Sequence, residues 1–541
     1  MKFNYYILLG TLLFSAPFKA QEQTKDSTLL RTVVVEQEYN PTVMDAAKLN
    51  VVPPIEEPQV TKKEVVYDST FSPSYTFPQA SIEPYMGKEI FKKGYPGYFR
   101  LGYGNLGNVD SRINYLFNIS DKDKLNIDFS LMGMNGKLDL LNKEKWNAHY
   151  YRTRAGINYQ HQFAGANLKL GGNFGLSNFN YTSEGKQKFT TGSFFAGVET
   201  TNEDLPVQAD VNFKFNHYAR QTDSFSRDRT TDNIESKFVT TANVFAPINE
   251  ESRIGVAFAM NYFIYDQDII GDYATTDFNP YYDFQGDNWK LRLGANVDLA
   301  FGFGKSVNVS PDVNIGYIFS DSYQFYAKAT GGRQINDFRQ VEILNPYASM
   351  ERRFEDTYEQ LNASVGFKAS PTAGLWLNIF GGYQNLKKDL IQYNEWADED
   401  ILYEADLGVT NTDNVYLGAT FSYSYKNLVD LTLNGIYRKW SADNDWALLM
   451  KPMFDLDFRT VVRPISPLDI ELGYRYIHRA DSKQVERLDA INNLHLEVSY
   501  RLYKGASIYI KADNLLNQKY QYFYNIPTAG INFVGGVKLL F

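Results

Sequence analysis

The sequence predicts an all-β protein, a transmembrane antiparallel β-barrel of about 22 strands, with even counts of roughly 16 to 22 compatible. Three observations carry this. Apolar and polar residues alternate from Gly97 to Phe541, as they do on strands with two unlike faces. Aromatic residues reach 16 %, with Tyr 40 and Phe 38 against Trp 6, which suits aromatic girdles at a membrane boundary. Only the extreme N-terminus approaches the ~20 continuous apolar residues of a helical span.

Composition excludes several classes. The 541 residues include no cysteine, so a disulfide framework, a Cys-based metal or Fe–S site and a thiol nucleophile are ruled out. The net charge of −9 argues against a general nucleic-acid binder. The aromatic content argues against wholesale disorder.

In chain order, Met1 to Ala20 has the pattern of a secretory signal peptide. Lys2 is the positive n-region, Ile7 to Phe14 the apolar h-region, and Ala20-Gln21 the cleavage point, with a large Phe18 at −3. The apolar run is too short for an anchor helix. Residues 21–96 carry eight of the nineteen prolines. Each removes a backbone donor and fixes φ, so an irregular segment, periplasmic or lumenal, is expected. Thr32, Val33, Val34 and Val35 form a β-branched run able to pair with a strand edge of a partner. A short strand packed on the protein itself is the blander alternative.

Residues 97–541 are assigned to the barrel. Leu125, Ile127, Phe129 and Leu131 alternate with Asn126, Asp128 and Ser130. Val415, Leu417, Ala419, Phe421, Tyr423 and Tyr425 form another apolar face, followed by Val429, Leu431, Leu433 and Tyr437. Leu468 to Tyr476, Leu494 to Leu502 and Ile531 to Phe541 repeat the pattern. A soluble sandwich shares such local alternation. Strands of about ten residues or more, terminal aromatics and charges on the second face favour a barrel with a wet lumen. Lipid also requires closure, since an open edge leaves backbone groups unpaired. Short polar turns are expected at Asn105 to Asp110, Asp121-Lys122-Asp123, Gly165 and Lys504-Gly505. Asp266 to Asn279, Gly332 to Asp356 and Lys387 to Asp413 are the candidate long loops of an extracellular rim. The runs Asn279 to Trp289 and Trp446 to Pro464 are ambiguous.

Asp513-Asn514-Leu515-Leu516-Asn517-Gln518-Lys519-Tyr520 resembles the penultimate-strand signature of TonB-dependent receptors. Asn345-Pro346, followed by Tyr358-Glu359 and the strand Leu361 to Ala369, resembles their mid-barrel Asn-Pro segment. Gly374 to Ile391, ending in Lys387-Lys388-Asp389-Leu390-Ile391, is similar to theirs too. The resemblance spans residues 320–541. It implies a large outer-membrane barrel of a diderm bacterium. Thr32 to Val35 resembles the stretch at which such receptors meet TonB. The chain departs from the family in its N-terminal part: residues 21–96 are too few and too Pro-rich for the family's globular plug. An unplugged barrel of this size has a wide lumen, so loops, residues 21–96 or another chain must fill it.

Candidate chemistry is sparse. The five histidines, His149, His161, His217, His478 and His495, show no paired-ligand spacing. His495, Glu497 and Ser499 share a strand face, but i, i+2 neighbours are ~7 Å apart, too far for a catalytic triad. Glu395, Asp398, Glu399, Asp400, Glu404 and Asp406 match no EF-hand spacing and suit a solvated loop. Arg333, Arg339, Arg352 and Arg353 are candidates for gripping lipopolysaccharide phosphates or an anionic solute, or for pairing with that acidic segment across the barrel mouth. Gly102-x-Gly104 and Gly171-Gly172 fall inside strands and form no phosphate loop.

The expectation is therefore a non-enzymatic, cofactor-free barrel that moves a solute across the outer membrane. It would contact membrane lipid, lipopolysaccharide and, through residues 21–96, a TonB-like or assembly partner; nucleic acid is not expected. The alternative is a non-transporting structural or assembly subunit that recruits partners through residues 21–96. An outer-membrane hydrolase would need a compact Ser/His/acid cluster.

Overall fold

The structure, a computed structural model, describes residues 95–541 except 141–144, 181–184, 203, 224–229, 267–270, 321, 349–352, 394–405, 481–487 and 524–525. The expected signal peptide and Thr32, Val33, Val34 and Val35 lie outside the described residues.

The strands in order are β1 (Gly97–Gly104), β2 (Val109–Asn118), β3 (Asp123–Asp139), β4 (Lys145–Gln162), β5 (Ala166–Asn180), β6 (Lys186–Thr200), β7 (Gln208–Asp223) and β8 (Thr230–Pro247). Next come β9 (Ser252–Tyr265), β10 (Tyr273–Gln285), β11 (Trp289–Phe301), β12 (Val307–Phe319), β13 (Tyr323–Gln334), β14 (Thr357–Ala369), β15 (Leu375–Tyr393) and β16 (Asp406–Tyr425). The last are β17 (Val429–Ala442), β18 (Pro452–Ile465), β19 (Leu468–Arg479), β20 (Ile491–Tyr503), β21 (Ala506–Asp513), the short β22 (Gln521–Phe523) and β23 (Ile526–Pro527), and β24 (Asn532–Leu540). One α-helix is described, α1 (Phe338–Leu344).

Twenty-two strands form one sheet, every neighbour antiparallel, while β22 and β23 pair apart from it. The sheet closes on itself where β1 pairs β24, Tyr98 opposite Leu540 and Gly104 opposite Val534. The Gly97 N–H donates to the Phe541 carbonyl at 2.8 Å, and the Phe541 N–H returns a bond at 3.1 Å. Closure leaves no sheet edge, which lipid demands. The predicted antiparallel barrel and its strand number both stand.

Alternation sets the two faces. Leu101, Tyr103, Ile113, Ile127, Val415, Leu417, Ile508 and Ile510 point outward and are exposed, forming an apolar outer surface of the kind a transmembrane barrel has. Arg100 and Asp110 occupy alternate positions and are buried. They belong to an ion cluster inside the closing seam. Arg100 bonds Asp110 at 2.7 Å and Glu497 of β20 at 3.1 Å, its guanidinium carbon lies 3.9 Å from the centre of the Tyr509 ring, and Lys538 of β24 also bonds Glu497.

The barrel's two ends differ. The terminal end carries Gly97, Phe541 and the short hairpins such as 119–122, 163–165, 426–428 and 504–505. The far end carries longer connections, among them the described parts of 335–356. Some sequence expectations need correction. Asn105 to Asp110 turns at the far end, not with the other short turns: Asn105–Gly107 is a 3-10 turn and β2 begins at Val109. Much of Asp266 to Asn279 and of Lys387 to Asp413 is strand, because β10 starts at Tyr273, β15 continues to Tyr393 and β16 starts at Asp406. Gly332 to Asp356 is not a plain rim loop, since its centre is buried. The ambiguous runs hold the second half of β10 and nearly all of β18.

Candidate functional site

Strand β4 shows what distinguishes the far end. Trp146, Ala148 and Tyr150 are 4 %, 0 % and 3 % exposed. Two residues on, Arg152 and Arg154 continue the same face towards the terminal end. The inward face thus changes from apolar to charged along one strand. Met134, Phe179, Phe189, Tyr218, Phe263 and Leu407 join Trp146 in a single buried cluster. Fully burying such side chains contributes about 1.5–3 kcal/mol each. The far end of the lumen is therefore a packed core, where the strand alternation alone predicts a wet lumen and the expected lack of a plug predicts a filler.

The segment 335–356, between β13 and β14, supplies the centre of that core. It leaves the wall at a bulge: the register shifts between Thr330 and Gly332, and Gly332 has φ +139°, open to a residue without Cβ. Asp337 then caps α1, accepting the Gln340 N–H at 2.9 Å, which satisfies an otherwise orphaned helix donor. Phe338 and Val341 stand one turn apart on the buried face. The Phe338 ring meets Tyr265 of β9 at 5.3 Å and Tyr218 of β7 at 6.2 Å between centroids.

Beyond α1 the chain stays inside. Asn345 Oδ1 accepts the Tyr347 N–H at 2.9 Å. Asn345 Nδ2 donates to Gln392 Oε1 at 3.3 Å, and Gln392 Nε2 donates to the Leu344 carbonyl at 2.8 Å. Tyr347 packs edge-on against Phe179 of β5 and Phe523 of β22. The Asn345-Pro346 pair of the sequence resemblance thus lies in the lumen. Since the segment springs from β13 and β14 yet reaches β4, β5 and β7, it crosses the barrel.

Charges fix it there. Lys237 of β8 bonds Asp337 at 2.9 Å. Glu235 Oε2 accepts the Phe338 N–H at 3.1 Å. Arg152 lies 3.8 Å from Glu342, and Arg220 Nη1 donates to the Ala348 carbonyl at 2.7 Å. Burial alone would raise the Asp337 pKa; Lys237 and the Gln340 N–H outweigh it and hold the carboxyl below its ordinary value. At Asp356 burial wins over the Asn336 N–H and Arg333, and the carboxyl is raised.

Three of the four arginines marked in the sequence are described. The Arg333 side chain is 4 % exposed, 3.4 Å from Asp356 and 3.8 Å from Asp277. Arg339 is on α1 and lines a lumen cavity. Arg352 lies outside the described residues. Arg353 sits 3.5 Å over the Phe303 ring and donates to the Gly271 carbonyl. Residues 394–405, most of the acidic segment, lie outside the described residues. Glu497 is held by Arg100 and Lys538, and His495 and Ser499 are buried beside it, so the shared face is an ion cluster. Among the described residues, no group of three or more His, Asp or Glu is placed to hold a metal ion.

Asp337, Phe338, Glu235 and Lys237 were not singled out from the sequence. A signal existed: Asp337 precedes Phe338 and Val341, a capping residue before apolar positions three apart, inside a supposed loop.

No protein-family model and no curated protein matches the chain. Solved structures do match its fold. The iron transporter FrpB from Neisseria meningitidis superposes with TM-score 0.65 at 11 % identity, covering 83 % of this chain and 82 % of that one. The copper transporter OprC gives 0.63 at 11 % identity over 82 % and 80 %. The siderophore receptor PirA from Acinetobacter baumannii gives 0.64 at 9 % over 82 % and 80 %.

Proposed function

The chain has the 22-stranded barrel fold of TonB-dependent outer-membrane receptors, and from that premise we propose that it is an outer-membrane transport barrel gated by its own segment 335–356. The observation that carries the reading is the crossing of the lumen by this segment. A barrel of 22 strands is wide enough for a large solute, and an unobstructed one would leak. Here the closing element is continuous with the wall, tied to it by an apolar face and by polar contacts that include those of Lys237, Glu235, Arg152, Arg220 and Gln392. Release of those contacts opens the far end without dismantling any strand.

In this reading the far end is extracellular and the terminal end periplasmic. Residues 1–20 direct export, residues 21–96 extend into the periplasm or the lumen, and residues 97–541 form the barrel. Thr32 to Val35 is the point at which a TonB-like partner would pair. Arg339 and Arg353 are kept as candidates for contact with an anionic solute or lipopolysaccharide; Arg333 is buried against Asp356. No catalytic role is proposed.

The test is single-channel conductance in planar bilayers. The full-length chain is compared with a variant in which residues 338–348 are replaced by a Gly-Ser linker, and with one lacking residues 21–96. A closed parent and a conducting 338–348 variant support the gate. If the 338–348 variant stays closed while removal of 21–96 opens the pore, the N-terminal segment is the gate and 335–356 is structural. A filled far end equally favours the second reading, a barrel that scaffolds partners. That reading requires every variant to stay closed and residues 21–96 to capture a stable periplasmic partner.

A further inference from the structure

We infer that Lys290 and Lys368, on the inward face at the terminal mouth of the barrel, are the docking site for Glu56-Glu57 of the chain's own N-terminal segment. Lys290 is the second residue of β11 and Lys368 the last but one of β14. Both therefore stand next to the short hairpins of the terminal end. Glu56 and Glu57 lie outside the described residues, and the chain enters the described barrel at this same end.

The lysine patch departs from a wall whose charges are otherwise matched nearby. On β10 to β12, Arg292 is 3.1 Å from Asp283 and 2.7 Å from Asp312. On β17 to β19, Arg463 is 2.6 Å from Asp430 and 3.3 Å from Asp469. Lys368 is 8 % exposed, yet the charges beside it are those of Lys328 and Lys290. Its partner among the described residues is the Tyr326 ring, whose centre is 4.9 Å from the ammonium. Tyr326 leans across Gly366 and donates to Asn378 Oδ1 at 3.0 Å. A ring attracts a cation without neutralising it, and a shielded charge without a counter-ion is costly. Lys328 shares the ring and is engaged elsewhere as well. Neither Lys290 nor Lys368 has a hydrogen bond or ion pair with any described residue.

The N-terminal segment carries the matching charge. Between Arg31 and Lys62 it has Glu36, Glu38, Asp45, Glu56 and Glu57 against Lys48 alone. Glu56-Glu57 is its densest point, two carboxylates side by side between Pro54 and Pro58. Proline on both sides removes backbone donors, so this stretch offers the wall its side chains and not a strand edge. Reach is ample. β11 to β14 stand opposite β1 in the ring of 22 strands. Half that ring is about 50 Å at ~4.8 Å per strand, whereas the chain from Glu57 to Tyr95 extends to about 120 Å at ~3.3 Å per residue. A small free anion is the other occupant, which the experiment separates.

This docking site rests on the transport reading only for its physiological role, since it names where residues 21–96 bind. The chain has no cysteine, so an introduced pair reports cleanly. Ile55→Cys is combined with Asn378→Cys, whose position is opposite Lys368 across β14 and β15; all four charges stay in place. A short bis-maleimide is applied to the full-length chain in detergent, and the linked peptide is quantified by mass spectrometry after digestion. The link is expected at least about tenfold above that of Ile55→Cys with Lys426→Cys on a turn, and it should fall in high salt. Adding Lys368→Gln should lower the yield about fivefold, and so should Glu56→Gln with Glu57→Gln. Lys368→Glu should abolish the link, and Glu57→Lys in the same chain should restore it. Heat-modifiable gel migration checks that each barrel is folded. Absence of the link, a yield equal to the Lys426→Cys control, or a yield indifferent to these charges in folded barrels overturns the proposal. So does binding of inorganic phosphate that is equal in the parent and in the chain with Glu56→Gln and Glu57→Gln, which makes a small anion the occupant. A charge-dependent link in a barrel whose 338–348 variant stays closed removes the gate and keeps the docking site. A conducting 338–348 variant without the link removes the docking site and keeps the gate.

Discussion

The two ends of the lumen are built on different physics. At the far end, Trp146, Tyr150, Phe179, Phe338 and Tyr347 make a core such as a soluble domain has. Towards the terminal end, the inward residues are charged and paired, as in the seam cluster of Arg100, Asp110, Glu497 and Lys538. Every partner in the seam cluster is a strand residue, so it fixes the wall. The far-end core includes a loop, so part of it can leave while the wall remains. The comparison separates what holds the barrel from what closes it.

The largest effect should come from the seam. Arg100→Ala leaves Glu497 and Asp110 short of a buried partner, which costs about 3–5 kcal/mol when a buried pair is broken. A lowered urea midpoint of the whole barrel is expected, with no gain of conductance in the fraction that stays folded. Phe338→Ala should act at the other end. It removes about 3 kcal/mol or more of packing from segment 335–356, and protease accessibility or conductance should rise with the barrel midpoint nearly unchanged. If Phe338→Ala instead unfolds the barrel together with the segment, the two ends are one cooperative unit and the contrast fails.

Lys237→Met should be milder. The pair with Asp337 keeps some solvent contact, so about 1–2 kcal/mol is expected, seen as brief channel openings. Acidification should give the smallest effect. The Asp337 pKa lies below its unfolded value, so its contribution is fully present above the ordinary carboxylate pKa of about 3.9. It is lost as pH falls through the folded value. Conductance should then be flat from pH 7 to about 5, as far as Asp337 is concerned, and rise only below about 4. Asp356 has the opposite sign: burial raises its pKa, so acidification relieves a penalty there.

The wall was legible from sequence because lipid outside and polar groups inside impose period two on every strand. The far-end core was not, for a specific reason. Both faces of a strand end can be apolar when one meets lipid and the other meets a folded-in loop. Trp146, Ala148 and Tyr150 then differ from Arg152 and Arg154 by their neighbours, not by their period. The path of 335–356 depends on side chains from β4, β7, β8 and β15, which are distant in sequence. Its local cue, Asp337 before Phe338 and Val341, marks a helix but not where the helix docks. Asn345-Pro346 carried the family resemblance without revealing that Asn345 is buried.

The pairing of β1 with β24 has a consequence for how the molecule is made. Tyr98 and Leu540 are partners, yet nearly the whole described chain separates them. The entropy cost of joining such distant segments grows only logarithmically with length, so the finished barrel loses little by it. The rate is another matter, because contacts this remote in sequence form slowly. Until they form, two strand edges are open to other chains. β1 and β24 span 8 and 9 residues, against 19 and 20 for β15 and β16. The slowest step of assembly therefore exposes the least edge.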